Sequence, residues 1–137
     1  MKRVIAGLLF TSMHALPGVA ADLTLEVSNI AEPQGELRWM IFDSAEDYAA
    51  DRNPVIAGRS RVQGEALSVT LHDMPTGTYA VKLFHDANSN GKLDTNMVGL
   101  PKEGYGFSNN AGRFGPPGFD AAAVEVQADT LIDVRVR

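Results

Sequence analysis

The stretch Asp86-Ala87-Asn88-Ser89-Asn90-Gly91-Lys92-Leu93-Asp94 carries oxygen-bearing side chains at alternate positions, then a glycine, then a second carboxylate. Calcium is a hard cation that takes oxygen ligands from carboxylates, carboxamides and backbone carbonyls, and a chain wrapping it must turn sharply where Gly91 stands. Asp86, Asn88, Asn90 and Asp94 are the candidate side-chain ligands. Lys92 is a candidate through its backbone carbonyl, with its ammonium facing water. The pattern departs from the helix–loop–helix calcium loop at one place. With Asp86 counted as first, the twelfth residue is Met97, where a bidentate Glu belongs. The flanking sequence alternates like a strand, so that motif is not expected. With two obvious carboxylates, the site should hold calcium weakly, in the range of extracellular modules. The same string also reads as a turn without an ion. Asn90-Gly91 is a strong hairpin signal, and Asn and Asp side chains cap their own backbone. A turn alone, however, does not call for Asp86, Asn88 and Asp94 together.

Other chemistry is thinner. His85 shares the parity of Tyr79, Val81 and Leu83 and is expected at the edge of the core, whereas His72 is expected to face solvent. Zinc held by these two histidines and a carboxylate is a minor alternative. Ser108, His85 and Asp86 contain the residue types of a hydrolytic triad, but no nucleophile elbow surrounds Ser108, and adjacent strand residues point to opposite faces. No catalytic residue is therefore assigned, and the chain is expected not to be an enzyme. No glycine-rich phosphate loop joins a strand to a helix, which leaves nucleotide chemistry unsupported. A possible ligand surface is Tyr105, Phe107, Asn109, Asn110 and Phe114, whose aromatic rings could stack on sugars or on a partner. Such rings more often anchor a loop to its own domain.

These residues need a scaffold, and the remaining sequence describes one. Leu23, Leu25 and Val27 alternate with polar residues, as do Leu37, Trp39 and Ile41, then Leu67, Val69 and Leu71, then Tyr79, Val81 and Leu83. A period of two marks half-buried strands. Val124 and Val126, then Ile132, Val134 and Val136, add two more, and Val55 to Val62 is a weaker candidate. Six or seven short strands between turn signals predict an all-β fold, a single antiparallel β-sandwich of immunoglobulin or prealbumin type. Ser44 is placed to cap one short helix through Ala50, ended by Asn53-Pro54. The segment from Ala87 to Gly118, rich in glycine and asparagine, predicts one long ordered loop.

The first residues have a separate purpose. Lys2 and Arg3, the apolar run Val4 to Phe10, and the small residues Gly18-Val19-Ala20-Ala21 form the pattern of a cleavable signal peptide over residues 1–21, leaving one domain over 22–137. The run is too short to span a membrane, and with no cysteine in the chain there is no lipid-anchor site, no disulfide and no thiolate metal site. A periplasmic or secreted location follows as an expectation. The 12 Lys+Arg against 17 Asp+Glu give a net charge of −5. An acidic balance argues against nucleic-acid binding, which needs a basic surface.

Two runs carry a family resemblance: Leu83-Phe84-His85-Asp86-Ala87-Asn88-Ser89-Asn90-Gly91-Lys92-Leu93-Asp94-Thr95-Asn96 and Gly99-Leu100-Pro101-Lys102-Glu103-Gly104-Tyr105-Gly106-Phe107-Ser108-Asn109-Asn110. They resemble the bacterial family known as domain of unknown function 2141, over most of the chain from about Leu23 to Val136. The resemblance implies a secreted or periplasmic sandwich without supplying an activity. Separately, Met74-Pro75-Thr76-Gly77-Thr78-Tyr79 is similar to a corner of transthyretin-like and carboxypeptidase-regulatory-like sandwiches. The Asp-x-Asn-x-Asn-Gly-x-x-Asp spacing is similar to calcium loops of surface-adhesin sandwiches. The expectation is a non-enzymatic binding module whose loop is ordered by calcium and whose partner is a protein or an envelope glycan. The rival readings are a glycan-binding module working through the loop aromatics without metal, and a hydrolase using His85.

Overall fold

A computed structural model describes residues 19–137, so the segment expected to be a signal peptide, apart from Val19 to Ala21, lies outside the described residues. Eight strands appear in the order β1 (Ala20–Ser28), β2 (Glu36–Phe42), β3 (Ile56–Arg61), β4 (Leu67–Pro75), β5 (Gly77–Asp86), β6 (Tyr105–Phe107), β7 (Ala123–Val126) and β8 (Thr130–Arg135). Two short helices accompany them: α1 (Ala45–Ala50), between β2 and β3, and α2 (Phe119–Ala122), just before β7.

The strands form two packed sheets. One has the order β4-β1-β8; the other has the order β3-β2-β5-β6, with β7 also paired to β5. The far edge of β5 is shared: β7 pairs with Gly77 to Ala80, and β6 pairs with Lys82 to Phe84. The all-β sandwich expected from sequence is thus present, with two corrections. The strand count among the described residues is eight rather than six or seven, because Tyr105–Phe107 pairs inside the long loop. The sandwich is also not wholly antiparallel, since β1 runs parallel to β8, Leu23 opposite Thr130 through Ser28 opposite Arg135.

Period-two alternation puts Leu23, Leu25 and Val27 of β1 and Ile132 and Val134 of β8 against Leu37, Trp39 and Ile41 of β2 and Tyr79, Val81 and Leu83 of β5. Fully burying one such aliphatic side chain contributes roughly 1.5–3 kcal/mol, so this interior dominates the stability. A second, smaller cluster covers the outer face of the larger sheet, where Phe42, Tyr48, Ala80 and Ala122 meet Phe107 and Phe119. Burial, with nearby Asp51 adding to it, pushes the Tyr48 phenol up to about 12.

Ser44 caps α1 as expected, its hydroxyl accepting from the Asp47 N–H. The helix ends at Ala50 as expected, but the residue that stops it is Asp51, which adopts the left-handed conformation with φ of 52°, ahead of Asn53-Pro54. His72 and Asp73 sit on a β4 bulge opposite Asp22, with Asp73 at φ of 57°. At the β4–β5 corner the Tyr79 hydroxyl donates to the Pro75 carbonyl at 2.6 Å. No helix among the described residues is long and apolar enough to cross a membrane.

Candidate metal-binding loop

Asp86 is the last residue of β5, and β2 is its neighbour in the sheet, with Glu36 opposite Asp86 and Arg38 opposite Phe84. That register places Arg38 and Asp86 on the same outer face. The Arg38 Nε donates to Asp86 Oδ2 at 3.0 Å, while a second guanidinium nitrogen lies 3.1 Å from Glu36. The chain then folds back over Asp86 and buries it completely. The Gly91 N–H donates to Asp86 Oδ2 at 2.7 Å, and the Asn90 N–H donates to Oδ1 at 3.1 Å. A buried carboxylate needs such compensation, and here it has one cation and two backbone donors.

The other expected ligands join the same network. Asn88 Oδ1 accepts from the Asn90 N–H, and Asn90 Oδ1 accepts from the Lys92 N–H, at 3.2 and 2.9 Å. Asp94 receives the Asn88 and Asn90 side-chain amides at 2.6 and 2.8 Å. These donors, Asn90 first and Asn88 next, hold the Asp94 carboxyl below its ordinary value. Lys92 itself is exposed. The residues singled out by spacing are therefore brought together, here through hydrogen bonds among themselves. Among the described residues, no group of three or more His, Asp or Glu side chains is arranged to hold a metal as it stands.

Two members of the network escaped the spacing argument. Glu103 staples the loop shut: its two oxygens accept from the Ala87 N–H at 2.6 Å and the Asp94 N–H at 2.9 Å. Its only signal in the sequence is a lone acid in a glycine-rich stretch. Arg38 reaches Asp86 across the sheet, and its signal is a charge inside an otherwise apolar run, Leu37-Arg38-Trp39. Gly35 supports the site from beneath. Its φ is +71°, and a Cβ there would run into the Asp86 and Ala87 carbonyl oxygens. Only glycine meets both conditions without strain.

The histidines are placed as their parity suggested. His85 is buried, with Nε2 2.6 Å from the Gln34 carbonyl. His72 is solvent-facing, with Nδ1 3.2 Å from Asp22. An open cleft of about 690 Å³ is lined by Asp43, Ile56, His72, Asp73, Met74 and Tyr79, and no residue of the loop network reaches it. Ser108 is fully buried and committed to the backbone, its hydroxyl accepting from the Val81 N–H at 2.9 Å and donating to the Ala122 carbonyl. It is a rivet between β5 and α2 rather than an exposed nucleophile.

The remaining surface candidates divide. Tyr105 and Phe107 are half-buried and meet edge to face, with centroids 6.0 Å apart. Asn109 donates to the Ala121 and Ala123 carbonyls, and Asn110 Oδ1 accepts from the Arg135 N–H, so both amides brace the fold. Phe114 is 96% exposed, with the Arg113 guanidinium 5.5 Å from its ring centre.

No curated protein and no solved structure matches the chain. A family described as "Uncharacterized protein conserved in bacteria (DUF2141)" matches residues 25–133. That span runs from within β1 almost to the end of β8 and takes in the whole loop network. The chain therefore belongs to this bacterial family of uncharacterised proteins.

Proposed function

We propose that the chain is a non-enzymatic binding module, exported to the periplasm or the medium, whose β5–β6 loop is locked by a weakly held calcium ion. The carrying observation is the gathering of Asp86, Asn88, Asn90, Asp94 and Glu103 into one network at the end of β5. Asp86 Oδ2 is filled by Arg38 and the Gly91 N–H, but Asp86 Oδ1 and the Asn88, Asn90, Asp94 and Glu103 oxygens each accept one N–H and keep a second lone pair for an ion. Calcium would take over the Asp94 oxygens now held by the two Asn amides, and the amides would turn their own oxygens to the ion. Arg38 already shares Asp86, which keeps the net charge at the site low and the affinity weak, around 10⁻⁴–10⁻³ M. The leader-like pattern of residues 1–21 supports export, and the Tyr79–Pro75 corner supports kinship with transthyretin-like sandwiches.

Thermal melting in EDTA and in millimolar calcium, with magnesium as control, tests the ion. Free calcium at about 100 times the dissociation constant should stabilise the fold by roughly 2.7 kcal/mol. Asp94→Ala and Glu103→Gln, which leave the buried Asp86 in place, should each shrink that shift, and Asp86→Ala with Asp94→Ala should abolish it. An identical calcium response in all of these variants would sink the assignment.

A second reading rests on Phe114, whose exposed ring could stack on an envelope glycan without metal. Glycan binding unchanged by Phe114→Ala would dispose of it. A hydrolase built on His85 has little support, because that ring is buried and bonded to a backbone carbonyl.

A further inference from the structure

The first strand is interrupted at the residue that the leader pattern would leave first. β1 pairs regularly with β4 from Leu23 onward, and with β8 from Leu23 opposite Thr130. Ahead of that ladder the register slips between Ala21 and Leu23, so Asp22 stands against the bulged pair His72 and Asp73. Ala20 and Ala21 pair beyond the slip, opposite Pro75 and Met74. At the slip itself the Asp22 N–H reaches a side chain. It donates to Asp129 Oδ1 at 2.8 Å, across 107 positions of sequence. Asp129 lies on the turn between β7 and β8, one residue before β8 begins at Thr130.

The side chains around this nitrogen are acidic. The carboxylate of Asp22 is turned toward β4, where Oδ1 accepts from the Asp73 N–H at 3.3 Å and Oδ2 lies 3.2 Å from His72 Nδ1. Among the described residues, no lysine or arginine pairs with Asp22, Asp73 or Asp129. A hollow of about 300 Å³ beside the nitrogen is lined by Asp22, Thr24, Thr70, Asp129, Thr130 and Leu131, oxygen-bearing side chains in all but one case. An amide brings one donor and no charge to this setting, whereas an ammonium at the same atom brings three donors and a positive charge. We infer that removal of the leader at the Ala21–Asp22 bond frees an α-ammonium on Asp22 that forms an ion pair with the Asp129 carboxylate. Hydrolysis of that bond by a leader peptidase of the exporting cell takes up one water and leaves a carboxylate on Ala21 and the ammonium on Asp22. The pair ties the new end of β1 to the turn that starts β8, across the parallel seam. The bond to be cut lies inside β1, with Ala21 buried, so cleavage comes before Ala20 and Ala21 pair with β4. This deepens the export reading and rests on it. It does not rest on the calcium ion, because neither Asp22 nor Asp129 belongs to the loop network.

The first measurement is the intact mass of the protein recovered from the periplasm and the medium of a bacterial host producing the full chain. The expected mass is that of residues 22–137. A start at Ala21, or at any residue other than Asp22, overturns the inference and leaves export standing; a chain kept whole inside the cell overturns both. The second measurement is NMR titration of the α-amino group of the exported protein. An ordinary α-amino group titrates at about 7.7–8.0. The titratable groups around this one are the Asp22, Asp73 and Asp129 carboxylates and the His72 ring, and a carboxylate at hydrogen-bond distance should raise its proton affinity about tenfold. Asp129→Asn should remove most of that gain. Asp133→Asn, which neutralises an exposed acid further along β8, should leave it in place. Both side chains face solvent, so neither change threatens the fold. An α-amino group that titrates at its ordinary value, or one indifferent to Asp129→Asn, overturns the ion pair even where the mass is that of residues 22–137.

Discussion

Replacing Asp86 by Ala should destabilise the protein far more than its place at a loop margin suggests. The carboxylate is fully buried and accepts from Arg38, Gly91 and Asn90. Truncation strands the Gly91 N–H, and an unpaired buried donor costs about 1–3 kcal/mol. It also removes a charge-assisted bond from Arg38, a further contribution of about 1.5–3 kcal/mol. The Asn90 N–H is partly rescued by Asn88 Oδ1, 3.2 Å away, and adds little. The sum is about 2.5–6 kcal/mol, which brackets the usual loss of about 3–5 kcal/mol on breaking one side of a buried pair. At about 4 °C per kcal/mol for a domain of this size, that usual loss should lower the midpoint by about 12–20 °C. The assay is thermal and urea unfolding in EDTA, so that no divalent ion contributes. Arg38→Ala should cost less, because two backbone donors stay on Asp86. The double variant should be less destabilised than the sum, since both changes remove the same contact. A loss below about 1 kcal/mol for Asp86→Ala, or strict additivity with Arg38→Ala, would refute the claim that this pair anchors the loop.

Three further outcomes are expected. The Asp94 carboxyl, held low chiefly by the Asn90 and Asn88 amides, should titrate below the ordinary 3.8 in an NMR pH series, and Asn88→Ala with Asn90→Ala should bring it back up. A depressed folded-state value means that its stabilisation is complete above the unfolded-state value and is lost as pH falls through the folded one, so the double variant should show weaker acid sensitivity below about pH 4. Gly35→Ala, at φ of +71° and against the Asp86 and Ala87 carbonyls, should cost about 2 kcal/mol or more in urea unfolding. Ser108→Ala should cost about 1–3 kcal/mol, because it leaves the buried Val81 N–H without its acceptor; hydrogen exchange at Val81 should accelerate accordingly.

The strands that carry the core were legible because Leu23, Leu25 and Val27, and their counterparts, repeat at the period of a half-buried sheet. β6 was not, because three residues with Gly106 in the middle show no period. It is a strand only by virtue of its partners: Gly106 faces Leu83, and Tyr105 exchanges both backbone bonds with Arg137. The parallel β1–β8 pairing leaves no local trace, since both strands alternate as they would in any neighbourhood. The helix end at Ala50 was legible, but the left-handed Asp51 that makes the stop was not, since Asp tolerates that conformation without announcing it. In the candidate site, the Asp/Asn spacing was local and could be read directly. Arg38 arrives through strand register and Glu103 through loop closure, and neither leaves a short-range pattern.

The pairing of the first strand with the eighth also sets the order in which the fold can be completed. Every β1–β8 partner lies 107 positions away, as Leu23 and Thr130 do. β1 is the central strand of its sheet, so until β8 is available one whole edge of it lies bare and half of the main interior lacks its cover. Contacts of such long sequence separation pay loop-closure entropy before they return any stability, and they slow folding. On the export proposed above, that delay is useful. A chain that cannot close its sheet until β8 has been delivered would stay threadable for most of such a passage and would acquire its folded form on the far side of the membrane.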